Sequence, residues 1–309
     1  KTFSSFPVTP SSAPTSDYEV ANKKYVDDNT AGANLLVNGS FAVWQRGTTS
    51  SSISTTRTYL PDRFAIKTGA GTLTTAARST TVPAGSRSKY SLELTGAEGV
   101  TTVTIDQRIE AMNVPKSTVY FSAYIYNGSG AAFTPKIYVS TPSAADNWTT
   151  NSVINGSGSG ESLQECADSA WTQVHWTADI SAYSNISNGV EFKLEIPSGS
   201  LVSGDTVRIA DAVLIYGSSY VTPAQEDITI IIRKCRRYYR RSGDVAQGAG
   251  QFLSSTLARI FLPYETMRSA PTLSYEGTPS LVYSGGGGLS VSGISSQAMG
   301  TDGGYADFT

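Results

Sequence analysis

Two-residue alternation of apolar and polar side chains recurs along this chain, and it restricts the fold to antiparallel sheets with one buried face. Between Ser117 and Tyr126, Val119, Phe121, Ala123 and Ile125 fall on one face, and Tyr120, Ser122, Tyr124 and Tyr126 on the other. The first set predicts core and the second an outward tyrosine row. Val174, Trp176 and Ala178 alternate with Gln173, His175 and Thr177, and Val190, Phe192, Leu194 and Ile196 with Glu191, Lys193 and Glu195. Strand-like runs also cover 36–45, 62–67, 90–94, 100–109, 133–139 and 207–216, separated by Gly, Ser, Asn and Pro clusters. About ten short strands predict a mainly β chain whose residues 34–221 form a jelly-roll-like antiparallel β-sandwich.

Composition narrows the function classes. Only 16% of the 309 residues are charged, against roughly a quarter in ordinary domains. A net charge of −2 gives no broad basic face of the kind that counterion release on nucleic acid needs. No apolar run reaches the length of a membrane span, and no basic and apolar leader opens the sequence. Cys166 and Cys235 are too far apart in sequence for a disulfide framework or thiolate cluster to be read, so each is expected as a buried free thiol.

The N-terminal segment 1–33 predicts an arm and one short helix. Ser16 and Glu19 form a capping box, and Tyr18, Ala21 and Tyr25 recur at helical spacing for about two turns. A helix so short needs a partner, and a symmetric copy is the economical one. Packing on its own domain is the simpler alternative. The stretch Ala21-Asn22-Lys23-Lys24-Tyr25-Val26-Asp27 resembles the short linker that precedes modules of trimeric bacteriophage fibres. That resemblance implies a homotrimer in which Tyr18, Ala21 and Tyr25 are the oligomerisation seam and the arm joins other virion proteins.

A second resemblance runs from Asn34 to about Tyr239. The run from Asn34 through Trp44, Gln45 and Arg46 to Gly47, then Pro61-Asp62-Arg63-Phe64, then Gln107-Arg108-Ile109-Glu110, is similar to the carbohydrate-binding-module-like sandwich that recurs in phage structural proteins. Trp44, Arg46, Asp62, Arg63, Gln107 and Arg108 are the structural motif it implies. Phe64 stands where relatives often carry Trp, which keeps a packing role but removes an indole donor.

Residues 222–243 predict an amphipathic helix: Thr222 and Pro223 open it, and Ile228, Ile231, Ile232, Cys235, Tyr238 and Tyr239 make its stripe. The β-branched run Ile228 to Ile232 argues the other way, for a strand. Six cations lie between Arg233 and Arg241. They could bind nucleic acid or an anionic sugar, but a solvated helix face or pairs with a neighbouring chain explain them more simply, because the apolar stripe uses both tyrosines. Residues 244–309 predict a small β-rich region, with runs at 256–262, 271–275, 281–283 and 289–294, that needs docking or threefold association for stability and could form a tip.

Catalytic and metal constellations are weak. His175 has no partner visible in sequence, and no spacing sets two of Asp62, Asp106, Glu110 and Asp211 across a cleft. No enzyme, cofactor or metal is implied. A sugar platform needs an exposed aromatic plane flanked by hydrogen-bonding groups. The candidates are Trp148, in the polar loop 143–150, and Tyr120, Tyr124 and Tyr126; Trp44, Trp171 and Trp176 are assigned to the core or its edges. A loop anchored by its own aromatic accounts for Trp148 equally well. The sequence reading is a non-enzymatic bacteriophage virion protein, a trimeric tail fibre or spike part that attaches to bacterial surface glycan. The alternatives are a head fibre or decoration protein without receptor binding, and a polysaccharide-depolymerising tailspike.

Overall fold

The structure, a computed structural model, describes residues 32–241, 250–254, 256–274, 280–282, 288–290 and 293–308. The expected helix seam Tyr18, Ala21 and Tyr25 lies outside these residues. The chain divides into two units, 1–231 and 232–309.

The first unit is a jelly-roll-like β-sandwich. Its strands are β1 (Thr49–Ser50), β2 (Thr58–Tyr59), β3 (Ala65–Thr68), β4 (Thr75–Ser79), β5 (Ser91–Thr95), β6 (Val103–Ile109), β7 (Thr118–Gly128), β8 (Lys136–Ala144), β9 (Asn147–Val153), β10 (Glu161–Ser162), β11 (Ala170–Asp179), β12 (Val190–Ile196) and β13 (Thr206–Tyr216). One sheet runs β1-β4-β5-β13-β7-β11; the other runs β10-β8-β12-β6-β3-β2, with β9 also paired to β8. All of these pairings are antiparallel. Val119, Phe121, Ala123 and Ile125 enter the shared core with Ile105, Phe192, Leu194 and Ile196, as the alternation predicts. Burial of this continuous apolar layer is the main force holding the two sheets together.

The run 36–45, predicted as a strand, is irregular. Asn38 and Phe41 adopt positive φ, 63° and 51°, which breaks any ladder. Side chains replace the missing pairing. The Asn38 amide donates to the carbonyls of Val43 and Asp62, both at 2.9 Å, and accepts the Val43 N–H. Gln107 reaches back from β6, donating to the Val37 carbonyl at 2.9 Å and accepting the Val37 N–H at 2.7 Å. The buried carboxylate of Asp62 accepts the backbone and side-chain N–H of Gln45 at 2.6 and 3.1 Å, with Arg46 at 3.5 Å. Burial pushes its carboxyl up, and the Gln45 donors and Arg46 pull it back. Arg63 donates to the Arg108 carbonyl, the Trp44 indole N–H donates to the Phe41 carbonyl, and Phe64 packs on Phe41 with ring centres 4.9 Å apart. Gly39 allows the tightest approach: a β-carbon there would sit 2.0 Å from the Ala212 carbonyl oxygen. The residues of the sequence motif thus close one knot between an irregular entry segment and both sheets.

The helix predicted to open at Thr222 spans Ile228–Arg236 (α1). Its cap is Asp227, whose side chain accepts the Thr229 N–H at 2.7 Å. A carboxylate cap directly before the apolar run overrides the earlier Thr222 signal. Ile231 and Cys235 are buried, whereas Ile228 and Ile230 are exposed. Arg240 and Arg241 fall beyond the helix end, and the last turn holds Arg233, Lys234 and Arg236.

In the second unit, β14 (Gly250–Ser254), β15 (Leu257–Pro263), β18 (Ile294–Met299) and β19 (Gly303–Phe308) form an antiparallel sheet in the order β14-β15-β19-β18, and β16 (Ser280–Val282) pairs with β17 (Gly288–Ser290). Residues 271–274, expected in a strand, have no ladder partner, and β14, β18 and β19 were not anticipated. Arg259 donates to both Asp307 oxygens, at 2.7 and 2.9 Å, beneath the Tyr305 ring. That pairing holds the Asp307 carboxyl at about 2.

Candidate functional site

Because Val103, Ile105, Gln107 and Ile109 of β6 point inward, Asp106 and Arg108 point out of the seven-stranded sheet. Strand register fixes their neighbours. Asp106 faces Ala65 on β3 and Lys193 on β12, Lys193 faces Tyr138 on β8, and Glu191 faces both Arg108 and Ser140. Although they sit on the outer face, Asp106 and Glu191 are buried, at 3% and 6% exposure. Arg57, just before β2, covers them. It donates to both Asp106 oxygens and to the Tyr59 hydroxyl, and lies 3.8 Å from Glu191. Arg108 donates through Nε to Glu191 at 2.8 Å.

Burial, and then the charge of Glu191, push the Asp106 carboxyl up to about 6 against the pull of Arg57. For Arg57, burial lowers the proton affinity, but Asp106, with Tyr59 and Glu191, together more than offset this and raise it above its ordinary value. A network of this kind fixes geometry more than it adds stability, since desolvation consumes much of the Coulombic gain.

Three aromatic planes surround the network, each with a cation on it. The Arg108 guanidinium lies 4.6 Å from the Trp148 ring centre, Lys193 Nζ 4.2 Å from that of Tyr138, and Arg57 and Arg46 lie 4.8 and 5.5 Å from that of Tyr59. Tyr138 also donates its hydroxyl to Glu195 at 3.1 Å. Trp148, expected in a loop, lies on β9 and is half-buried. Its indole rests against Gly189, where a β-carbon would be 3.3 Å from the ring and φ is +119°.

The tyrosine row occupies the other sheet. Tyr120 is buried rather than exposed: it packs with Val213, Ile215 and Val221, stacks on His175 with ring centres 5.6 Å apart, and meets Tyr220 at 6.1 Å. Chain that follows β13 covers it. Tyr124 donates to Gln173 at 3.3 Å, and Tyr126 sits between Trp171 and Arg208. Both are half-buried. Trp148 and the tyrosines therefore stand on opposite faces and cannot grip one ligand together. His175 is exposed on the same face as the tyrosines. Trp44 and Trp176 are in the core, and Trp171 is half-buried on the outer face.

Sequence reasoning missed Arg57, Tyr59, Tyr138 and Lys193. Tyr138 and Lys193 were legible, since Ile137 and Val139 flank one and Phe192 and Leu194 the other at core positions. Tyr59 lies in a two-residue strand that carries no periodic signal. Among the described residues, no group of three or more His, Cys, Asp or Glu is placed to hold a metal ion.

The sheet order and buried layer define a β-sandwich of jelly-roll type. No family model matches the chain, and no curated protein matches it. Some solved structures are weakly similar to part of the chain. The CBM22-1 xylan-binding domain of Paenibacillus barcinonensis Xyn10C is 14% identical over 62% of this chain and 98% of its own, with a TM-score of 0.37. TmCBM61, solved in complex with β-1,4-galactotriose, is 11% identical over 60% and 99%, TM-score 0.35. The enzymatically active domain of bacteriophage CBA120 tailspike protein 4 is 11% identical over 59% and 21%, TM-score 0.32. The chain spans only 28% of the MgGH51 α-L-arabinofuranosidase that it also resembles, at a TM-score of 0.38.

Proposed function

We propose that this chain is a glycan-binding virion protein of a bacteriophage, a trimeric fibre or spike component that holds a particle to a bacterial surface and does no chemistry there. The observation that carries the binding part is the outer face of the seven-stranded sheet, where Trp148, Tyr138 and Tyr59 surround fixed charged groups. Aromatic planes beside polar groups suit the two sides of a pyranose. The two central carboxylates, Asp106 and Glu191, are both engaged by guanidinium groups, which favours holding a ligand over hydrolysing it. The fibre and trimer parts rest on the likeness of residues 21–27 to phage fibre linkers. Three linked copies would turn weak single contacts into firm attachment.

An array of bacterial surface glycans, probed with the full chain and with Trp148→Ala, tests the reading. The wild type should retain at least one glycan, and the variant should bind it roughly fivefold more weakly or worse, the loss of about 1 kcal/mol of aromatic contact. Undiminished binding by Trp148→Ala, or no retained glycan at all, would overturn it. Sedimentation of the full chain as a monomer would remove the trimer.

A further inference from the structure

The cations on this face point to the ligand's charge. We infer that the glycan it takes is acidic, with a ring carboxylate received between Arg108 and Lys193; this rests on the glycan-binding reading above. Arg108 is anchored through Nε to buried Glu191 at 2.8 Å, and its two terminal amino groups make no hydrogen bond among the described residues. The side chain is 28% exposed, and neither terminal nitrogen is among the buried polar atoms left without a partner, so the fork is reached by solvent. Lys193 sits over Tyr138 with no carboxylate within ion-pair distance among the described residues. Arg108 pairs with Glu191, and Asp106 with Lys193. The two cations are thus diagonal neighbours on adjacent strands, about 7–8 Å apart at the backbone. A carboxylate can accept both terminal N–H groups of a guanidinium and still meet an ammonium on its other side.

A neutral sugar fits this arrangement less well. To stack on the indole or the phenol it must compete with the cation already lying there, at 4.6 and 4.2 Å. A carboxylate adds at the edge of the guanidinium and leaves the stack intact. The wider field agrees. Arg57 and the outward positions of β3, β6, β8 and β12 supply five cations, Arg57, Lys67, Arg108, Lys136 and Lys193, against three carboxylates, Asp106, Glu191 and Glu195. The chain as a whole is net negative.

The test uses the full chain and three uronic-acid polymers, polygalacturonate, alginate and hyaluronan, each beside its carboxyl-reduced neutral form, in affinity electrophoresis at low and moderate salt. At least one acid polymer should bind tenfold or more tighter than its reduced partner. Moderate salt should weaken that binding, and Lys193→Gln should cut it severalfold without changing the unfolding midpoint. Arg108→Gln should cut it further, with Arg108→Lys in between because the charge survives without the fork. Equal binding of acid and reduced forms across the panel, or indifference to both substitutions in folded protein, would overturn the inference. If the surface-glycan array returns only neutral ligands that still need Trp148, the glycan-binding reading stands and this inference falls.

Discussion

Replacing Gln107 with alanine should loosen the whole sandwich, although the residue belongs to no catalytic or binding group. The residue is 1% exposed and its amide makes two bonds to the backbone of one residue, accepting the Val37 N–H at 2.7 Å and donating to the Val37 carbonyl at 2.9 Å. Each bond contributes about 0.5–1.5 kcal/mol net, and each backbone group left without a partner costs about 1–3 kcal/mol where water cannot reach it. Val37 is half-buried, so water restores part of the loss. The sum is roughly 2–4 kcal/mol. With a urea dependence of about 2 kcal/mol per molar, the midpoint should fall by about 1–2 M. Trp44, Trp148, Trp171 and Trp176 all lie in the first unit, so tryptophan emission during urea unfolding reports the sandwich alone. Gln107→Glu should lose nearly as much, because an ionised carboxylate turns the donor into a second acceptor facing a carbonyl. A midpoint for Gln107→Ala within about 0.2 M of the wild type, far below the shift expected from two lost bonds, would refute the reasoning.

Two further outcomes follow from buried groups. The Asp106 carboxyl titrates near 6 in the folded state, above its ordinary 3.8, so its stabilising contribution is fully present below that ordinary value and disappears as pH rises through about 6. The unfolding free energy of wild type minus that of Asp106→Asn should therefore drop by roughly 2–3 kcal/mol from acid to neutral pH, and a flat difference would sink the assignment. Cys166 is fully buried and its thiol is pushed up to about 11 by burial, so a thiol reagent at about pH 8 should leave it unmodified in native protein and label it only on unfolding. Mass mapping that finds Cys166 labelled within minutes in native buffer would contradict this.

The strands were legible where two-residue periodicity is long and uninterrupted. β12 falls at Val190–Ile196, the predicted limits, and β7 and β13 lie within two residues of the predicted runs. Short strands such as β1, β2 and β10 carry too few residues to show a period. The run 36–45 misled because its apolar residues are buried from an irregular backbone, shaped by the positive φ of Asn38 and the bonds of Asn38 and Gln107. Facing direction was legible too, but exposure was not. Tyr120 points outward as predicted and is then covered by Val221 and Tyr220, which lie about a hundred residues away in sequence. The same limit hid the candidate site, since alternation says that Asp106, Arg108 and Lys193 share a face but not that Arg57 folds over them.

Trp148 shows how such a face becomes rigid before any ligand arrives. Its strand begins after Asp146, which has a positive φ of 54°, accepts the Ala111 N–H on Oδ1 at 2.9 Å and donates its own N–H to the Asn188 carbonyl at 2.8 Å. The Asn188 amide donates in turn to the carbonyls of Pro142 and Ser143, both at 3.2 Å. Three connections distant in sequence, 110–113, 142–148 and 186–189, are stitched into one platform, with Gly189 leaving room for the indole. Arg108 then lies on that indole and is held from below by Glu191. Ordering a long arginine and a tryptophan at the moment of binding would cost about 0.5–1.5 kcal/mol for each side chain. Here folding has already absorbed that cost, so the glycan binding proposed for this face would not have to bear it.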